Sequence, residues 1–243
     1  MDLGLGGARV VVTGGSKGIG LACAECFAAA GASLLLAARD AGRLEASAAD
    51  LRGRFGVPVE TIALDLGRDA ARAALAARAG ETDILVNNAG AIPGGGLLDL
   101  SMADWEQAWS LKVMGYIHLT QLFLAAMRER RRGVIVNVIG MAGRAPSYDY
   151  VCGGAGNAAL IAFTSAVGAK AVDWGVRVLG VNPSQTRTDR IVTLTKARAR
   201  TRLGDEERWE ELLPDLPFGR LAEPQEVGRV VAFLASPQAS YVS

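Results

Sequence analysis

Thr13-Gly14-Gly15-Ser16-Lys17-Gly18-Ile19-Gly20 decides the fold, because it stands between the apolar run Arg9 to Thr13 and the alanine-rich run Ile19 to Ala30. The first run is short, apolar and β-branched, which predicts a strand; the second has the length and residue types of a helix. Glycines between them let the backbone turn tightly and approach a pyrophosphate. The helix that follows presents unpaired N–H groups to such an anion. A glycine-rich string alone is a weak signal, and its place between strand and helix strengthens it.

Outward from the loop the same alternation continues. Further candidate strands are Ser33 to Ala37, Val59 to Leu64, Asp83 to Asn87, Val134 to Ile139 and Arg177 to Asn182. They are near-continuous Val, Ile and Leu, as in strands covered on both faces. Between them lie the helical segments Ala41 to Arg54, Asp69 to Ala79, Met102 to Arg130 and Gly156 to Trp174. This order predicts right-handed βαβ units in an α/β fold: a doubly wound, mostly parallel sheet flanked by helices on both faces. No repeat or low-complexity linker divides residues 1–243, so one dinucleotide-binding domain is expected. Residues 188–218 differ: they are charged and helical, carry Trp209, and end at Pro214 and Pro217. An insertion after the sixth strand lies near the carboxyl ends of the strands, where such sheets bind ligands. The segment reads as a substrate lid, or as a structural helical pair.

Half of the residues are hydrophobic and the net charge is +1, which allows a substantial core and gives no footprint for nucleic acid or an acidic membrane surface. The arginine-rich stretches Arg128 to Arg132 and Lys196 to Arg202 read as solvated helix surfaces. No apolar run approaches the ~20 residues needed to cross a bilayer, and the start MDLGLGGARV lacks the pattern of a secretory signal. Three cysteines do not make a disulfide scaffold, and Cys23 and Cys26 read as packing residues of a helix. The cytoplasm is the expected compartment. One histidine and no clustered Cys, Asp or Glu give no metal site.

The TGxxxGIG pattern of Thr13 to Gly20 resembles the short-chain dehydrogenase/reductase (SDR) family, and further family landmarks follow in order. Asp65-Leu66 resembles the adenine-contacting pair, and Asn87-Asn88-Ala89-Gly90 the family's NNAG. Asn182-Pro183 through Thr188 resembles the segment that closes over the nicotinamide, although Ser184-Gln185-Thr186 departs from the usual Pro-Gly there. Pro217-Phe218-Gly219-Arg220-Leu221, Glu223-Pro224 and Phe233-Leu234-Ala235-Ser236 match the C-terminal pattern. The resemblance spans nearly the whole chain. It implies a nicotinamide cofactor held by Gly14, Ser16, Lys17, Gly18, Ile19, Gly20, Arg39, Asp65, Leu66, Asn88, Ala89, Gly90, Thr186 and Thr188, and a small-molecule substrate. It also implies a homodimer or homotetramer packed through the two long helices. The 243 residues stop at Tyr241-Val242-Ser243, before the last strand usual in the family, so six to seven strands are expected.

Charge separates the cofactor subtypes. NAD-type sites place an acid after the second strand for the ribose hydroxyls. Here that strand ends Leu36-Ala37-Ala38-Arg39, and Asp40 comes late. Arg39 and Lys17 can pair with a 2′-phosphate, which favours NADP(H), with NAD(H) the alternative; as ordinary surface cations they would decide nothing.

The family's proton chemistry uses a Tyr-x-x-x-Lys pair, a Ser at the end of the fifth strand and an Asn in the long helix after the fourth. Registering the chain on Ala158-Ala159-Leu160 puts Gly153 in the Tyr slot, Asn157 in the Lys slot and Gly140 in the Ser slot, and the stretch Trp105 to Gln121, anchored on Gly115, puts Lys112 in the Asn slot. All four usual side chains are then missing. A shift that makes Tyr150 the tyrosine puts Gly154 in the Lys slot, so it rescues one member only. The expected site is therefore relocated: Tyr150 as proton donor, with Lys112 and Asn157 near the ribose and nicotinamide. Tyr150 and Tyr148 packing at a loop is the other reading. His118 reads as a packed or interface residue. Three functions stand: an NADP(H)-dependent oxidoreductase with an atypical proton relay, a nucleotide-binding sensor or partner subunit without turnover, and a non-redox enzyme on the same fold.

Overall fold

The computed structural model describes residues 2–213 and 216–243. Six strands form one parallel sheet: β1 Arg9–Thr13, β2 Ser33–Ala38, β3 Val59–Ala63, β4 Ile84–Asn87, β5 Gly133–Val138 and β6 Val176–Val181, in the order β3-β2-β1-β4-β5-β6. The chain runs outward from β1 to β3, then returns to pair β4 with the other edge of β1. Val12 therefore lies between Leu36 and Val86. That reversal parts the loops after β1 and β4 and opens a crevice at the carboxyl ends of the strands.

Strand residues alternate between two cores. Val10, Val12, Leu34, Leu36, Val86 and Val136 face α1 (Gly18–Ala29), α2 (Ala41–Phe55) and α7 (Pro224–Ala235). Val11, Leu35, Leu85 and Ile135 face α3 (Asp69–Ala79), α4 (Met102–Arg130) and the end of α5 (Val151–Ala171). Helix ends are fixed by local chemistry. Asp40 caps α2 by accepting from the Arg43 amide at 3.0 Å, and Gly56 ends it at φ +67°. Ser101 and Asp104 form a reciprocal capping box on α4. At the α1–α7 crossing a Cβ on Gly228 would stand 2.7 Å from the Ala22 carbonyl oxygen, so the backbones themselves touch.

Two expectations need correction. Helix α5 begins at Val151, not Gly156. Glycine's poor helix propensity argues against Gly153-Gly154-Ala155-Gly156, yet tertiary packing wins. Cβ positions on Gly154 and Gly156 lie 3.3 Å from the Pro146 side chain and 3.1 Å from Val113, a fit open to glycine. The second concerns length: Val151–Trp174 is long and apolar enough to cross a membrane, although Cys152, Leu160, Thr164 and Ala171 are buried within the fold.

Residues 188–213 form α6 (Asp189–Leu203), capped by the Thr188 hydroxyl, and a 3₁₀ helix Glu206–Leu212 joined to it by Lys196–Glu207 at 2.7 Å and by Arg200–Glu206. Pro214, at one expected end of this segment, lies outside the described residues. The two feet of the segment are tied together. Ala222 donates its amide to Gln185 O at 3.0 Å, Arg187 donates its own to Ala222 O at 2.7 Å, and Arg187 pairs with Glu223 at 2.9 Å.

Candidate functional site

A cleft of ≈ 1750 Å³ opens at the carboxyl ends of the strands, between the loops after β1 and β4 and the segment after β6. Its first wall is the glycine loop. The Thr13 hydroxyl donates to Val86 O at 3.3 Å and accepts from the amides of Asn88 at 2.9 Å and Ala89 at 3.1 Å. The Asn88 side-chain amide donates back to Thr13 O at 3.0 Å and Gly14 O at 3.4 Å. Two loops that carry no regular structure are thus clamped to each other.

Gly14, Ser16, Lys17, Gly18 and Ile19 line the cleft; Gly14 and Gly18 sit at φ +68° and +56°, where other residues are strained. Gly20 lies behind the loop, and a Cβ there would stand 2.8 Å from the Gly14 carbonyl carbon and closer to its oxygen. Its role is to let α1 approach the loop. The Lys17 side chain does not cap α1, and the first turn holds no acid. The first N–H groups of the helix keep their positive end toward the cleft.

Where β2 ends, Lys17, Arg39 and Arg43 gather on the cleft wall with Asp40 and Asp189. Lys17 pairs with Asp189 at 3.4 Å, and Arg43 reaches Asp189 and Asp40 at 3.8 Å each. Arg43 was missed in the sequence because it sits inside the first turn of α2 rather than directly after the strand. Ala89, Gly90 and buried Leu66 continue the wall. Asp65 instead lines an adjoining cleft of ≈ 550 Å³ beside Arg39, and accepts from the Gly67 amide at 3.2 Å. At the other end Thr186 is buried and donates to Ser184 O at 2.9 Å. The Thr188 methyl stands 3.1 Å from the Cβ position of Gly18, which brings the foot of the 188–218 segment against the glycine loop.

Tyr150, Lys112 and Asn157 line this same cleft. Lys112 rises from α4 and crosses Gly90, where a Cβ would lie 2.6 Å from its Cδ. Its Nζ donates to Val138 O at 2.8 Å and to the Tyr116 hydroxyl at 2.9 Å; that hydroxyl donates to Val138 O at 2.9 Å. Burial pushes the Tyr116 phenol well above its ordinary pKa, so it remains a neutral donor. Asn157 is 4% exposed; its Nδ2 donates to Gly140 O at 3.5 Å, and its Oδ1 has no partner in the structure. The ring of Tyr150, at the start of α5, folds back over Gly153. A Cβ on Gly153 would stand 2.7 Å from Tyr150 Cδ1 and closer still to Cε1 and Cζ. His118 lies outside this cleft and accepts at Nδ1 from Arg72 Nε at 3.0 Å.

Comparison with known proteins agrees with this geometry. Residues 8–199 match the family model for short chain dehydrogenase. The chain is 31% identical over 250 residues to 3-oxoacyl-(acyl-carrier-protein) reductase FabG of Aquifex aeolicus, covering 100% of this chain and 96% of that one. It is 34% identical to galactitol 2-dehydrogenase (L-tagatose-forming) of Cereibacter sphaeroides, covering 98% and 92%. Among solved structures, L-sorbose reductase from Gluconobacter frateurii, complexed with NADPH and L-sorbose, superposes with a TM-score of 0.92 at 31% identity, over 99% of this chain and 94% of the other. The glycine loop clamped to Asn88, the six-stranded parallel sheet and the matched family model together make this chain a member of the short-chain dehydrogenase/reductase family.

Proposed function

We propose that this protein is an NADP(H)-dependent oxidoreductase acting on a carbonyl or alcohol substrate, with a relocated proton relay of Tyr150, Lys112 and Asn157. The observation that carries the reading is the Tyr150 ring lying over Gly153, in the space a side chain of residue 153 would fill, in the cleft that Lys112 and Asn157 also line. The bound nicotinamide supplies the hydride donor or acceptor.

The residues present fit such a cofactor. The uncapped N-terminus of α1 and the glycines of the loop suit a pyrophosphate. Lys17, Arg39 and Arg43 supply positive charge where a 2′-phosphate would lie, and Asp40 is committed to capping α2, which favours NADP(H) over NAD(H). The orphaned Oδ1 of Asn157 would accept a ribose hydroxyl. Leu66, Ala89 and Gly90 would flank the adenosine half, with Asp65 and Asn88 beside them, and Thr186 and Thr188 would close the nicotinamide end; all line the cleft or the one adjoining it.

In reduction, Tyr150 donates a proton to the substrate oxygen; in oxidation it takes one back. Lys112 brings the positive charge that Asn157 lacks. Residues 188–218 form the substrate lid of a single cytoplasmic domain that assembles through α4 and α5 as a homodimer or homotetramer.

The relatives support the substrate class: galactitol 2-dehydrogenase and L-sorbose reductase carry sugar or sugar-alcohol substrates in their names. Titration with NADPH and NADH, followed by cofactor fluorescence, tests the site; saturable binding with NADPH preferred is expected, and no saturation overturns the reading. A panel of ketoses, polyols and 3-oxo thioesters then separates turnover from binding alone. Binding without turnover is the second reading, favoured by Gly140 and Gly153, which offer no side chain to polarise a carbonyl.

A further inference from the structure

We infer that Tyr116 is a positioning residue that holds Lys112 in place at the cofactor site, an inference that rests on the reading just proposed. The two residues lie one turn apart on α4 and converge on a single acceptor. Lys112 Nζ, the Tyr116 hydroxyl and Val138 O form a closed triangle with sides of 2.9, 2.9 and 2.8 Å. Lys112 Nζ also stands 4.5 Å from the centroid of the Tyr116 ring. The tyrosine therefore holds the amine at the hydroxyl end of its ring.

A lysine stem has four rotatable bonds and loses that freedom only where its end is held. Here its course is set at three points. Gly90 leaves room for the stem, Val138 O ends β5 just before Gly140, and Tyr116 closes the side toward the core. The tyrosine is fully buried and does not line the cleft, so it acts on ligands through Lys112. Without its hydroxyl the amine keeps Val138 O but loses a contact that fixes its position. Without the ring it also loses the bulk that confines it on the side toward the core.

The test is a double-mutant cycle of Tyr116→Phe and Lys112→Met, read by the dissociation constant for NADPH and by kcat and KM, with thermal unfolding to confirm the fold. Tyr116→Phe keeps the buried ring, and Tyr116→Leu serves as a second variant that removes the hydroxyl and the ring together. Loss of one hydrogen bond to a charged group predicts a fall of about tenfold in kcat/KM or NADPH affinity for Tyr116→Phe. A fall at least as large is expected for Tyr116→Leu. Neither change should add to the effect of Lys112→Met. If Lys112→Met is damaging and Tyr116→Phe and Tyr116→Leu are not, the tether is wrong and the relay stands. If Tyr116→Phe costs as much in the Lys112→Met background as in wild type, Tyr116 serves the core and the inference fails. If Lys112→Met alters neither binding nor turnover, both the relay and its tether are overturned.

Discussion

Gly153→Ala probes the feature on which the site turns, the folding of Tyr150 over a bare helix surface. In an unobstructed helix this change stabilises by up to ~1 kcal/mol, because alanine loses less backbone entropy than glycine. Here the new methyl would stand 2.7 Å from Tyr150 Cδ1 and closer to Cε1 and Cζ, so the half-buried ring must leave or the helix must shift. Overpacking of this kind costs ~1–3 kcal/mol. The difference predicts a net destabilisation of about 0–2 kcal/mol, or a drop of roughly 0–8 °C in Tm at ~2–4 °C per kcal/mol. In a Tyr150→Ala background the obstruction is gone, and the same change should stabilise by up to ~1 kcal/mol. The coupling between the two sites is then ~1–3 kcal/mol, measurable by urea unfolding of the four proteins. Additive effects, with Gly153→Ala stabilising wild type as it would any open helix, would refute the placement of the ring.

Other expectations follow from the same geometry. Gly20→Ala drives a methyl against the Gly14 backbone, which cannot rotate away; a loss of ~1–3 kcal/mol in urea unfolding and weakened nucleotide binding are expected. On the proposed reading, in which Arg39 and Lys17 pair with the 2′-phosphate, replacing both by Ala should weaken NADPH at least about tenfold more than NADH; equal losses for both cofactors in fluorescence titrations would remove these residues from discrimination. The Glu226 carboxyl, held by the Arg220 guanidinium and the Glu223 amide, is pulled down from 4.5 to about 2. Its folded value lies below its unfolded one, so its contribution is present above pH 4.5 and is lost as pH falls toward about 2. Arg220→Met should raise the Glu226 titration seen by carboxyl NMR and move acid unfolding to higher pH; an unmoved titration contradicts the pairing.

Much of the fold was legible because its signals are local. The strands are short apolar runs, and Gly14 to Gly20 could be placed by its flanking elements alone. The start of α5 was not legible: three glycines that disfavour helix in isolation, Gly153, Gly154 and Gly156, are helical where Pro146 packs against Gly154, and Val113 and Trp109 against Gly156. At the site, the family resemblance singled out the glycine loop and the proposed trio Tyr150, Lys112 and Asn157, and the structure brings the trio to one cleft. Tyr116 could not be found this way, since one aromatic among Val113, Ile117 and Leu119 reads as core, and only the position of Val138 O reveals its partner. Nor could the motifs alone show that Gly20 spaces α1 from its loop or that Asp65 lines the adjoining cleft. Arg43 escaped notice because its charge reaches the cleft from inside a helix turn.

The central claim is that Tyr150 handles the proton in a chain whose positions 140 and 153 are glycine. Its most direct test is Tyr150→Phe assayed for NADPH oxidation at the nicotinamide absorbance, on whichever carbonyl the wild-type protein reduces. Removing a general acid should lower kcat by about 10²–10⁴-fold while the NADPH dissociation constant stays within about twofold of wild type. Full turnover by the phenylalanine variant would contradict the account.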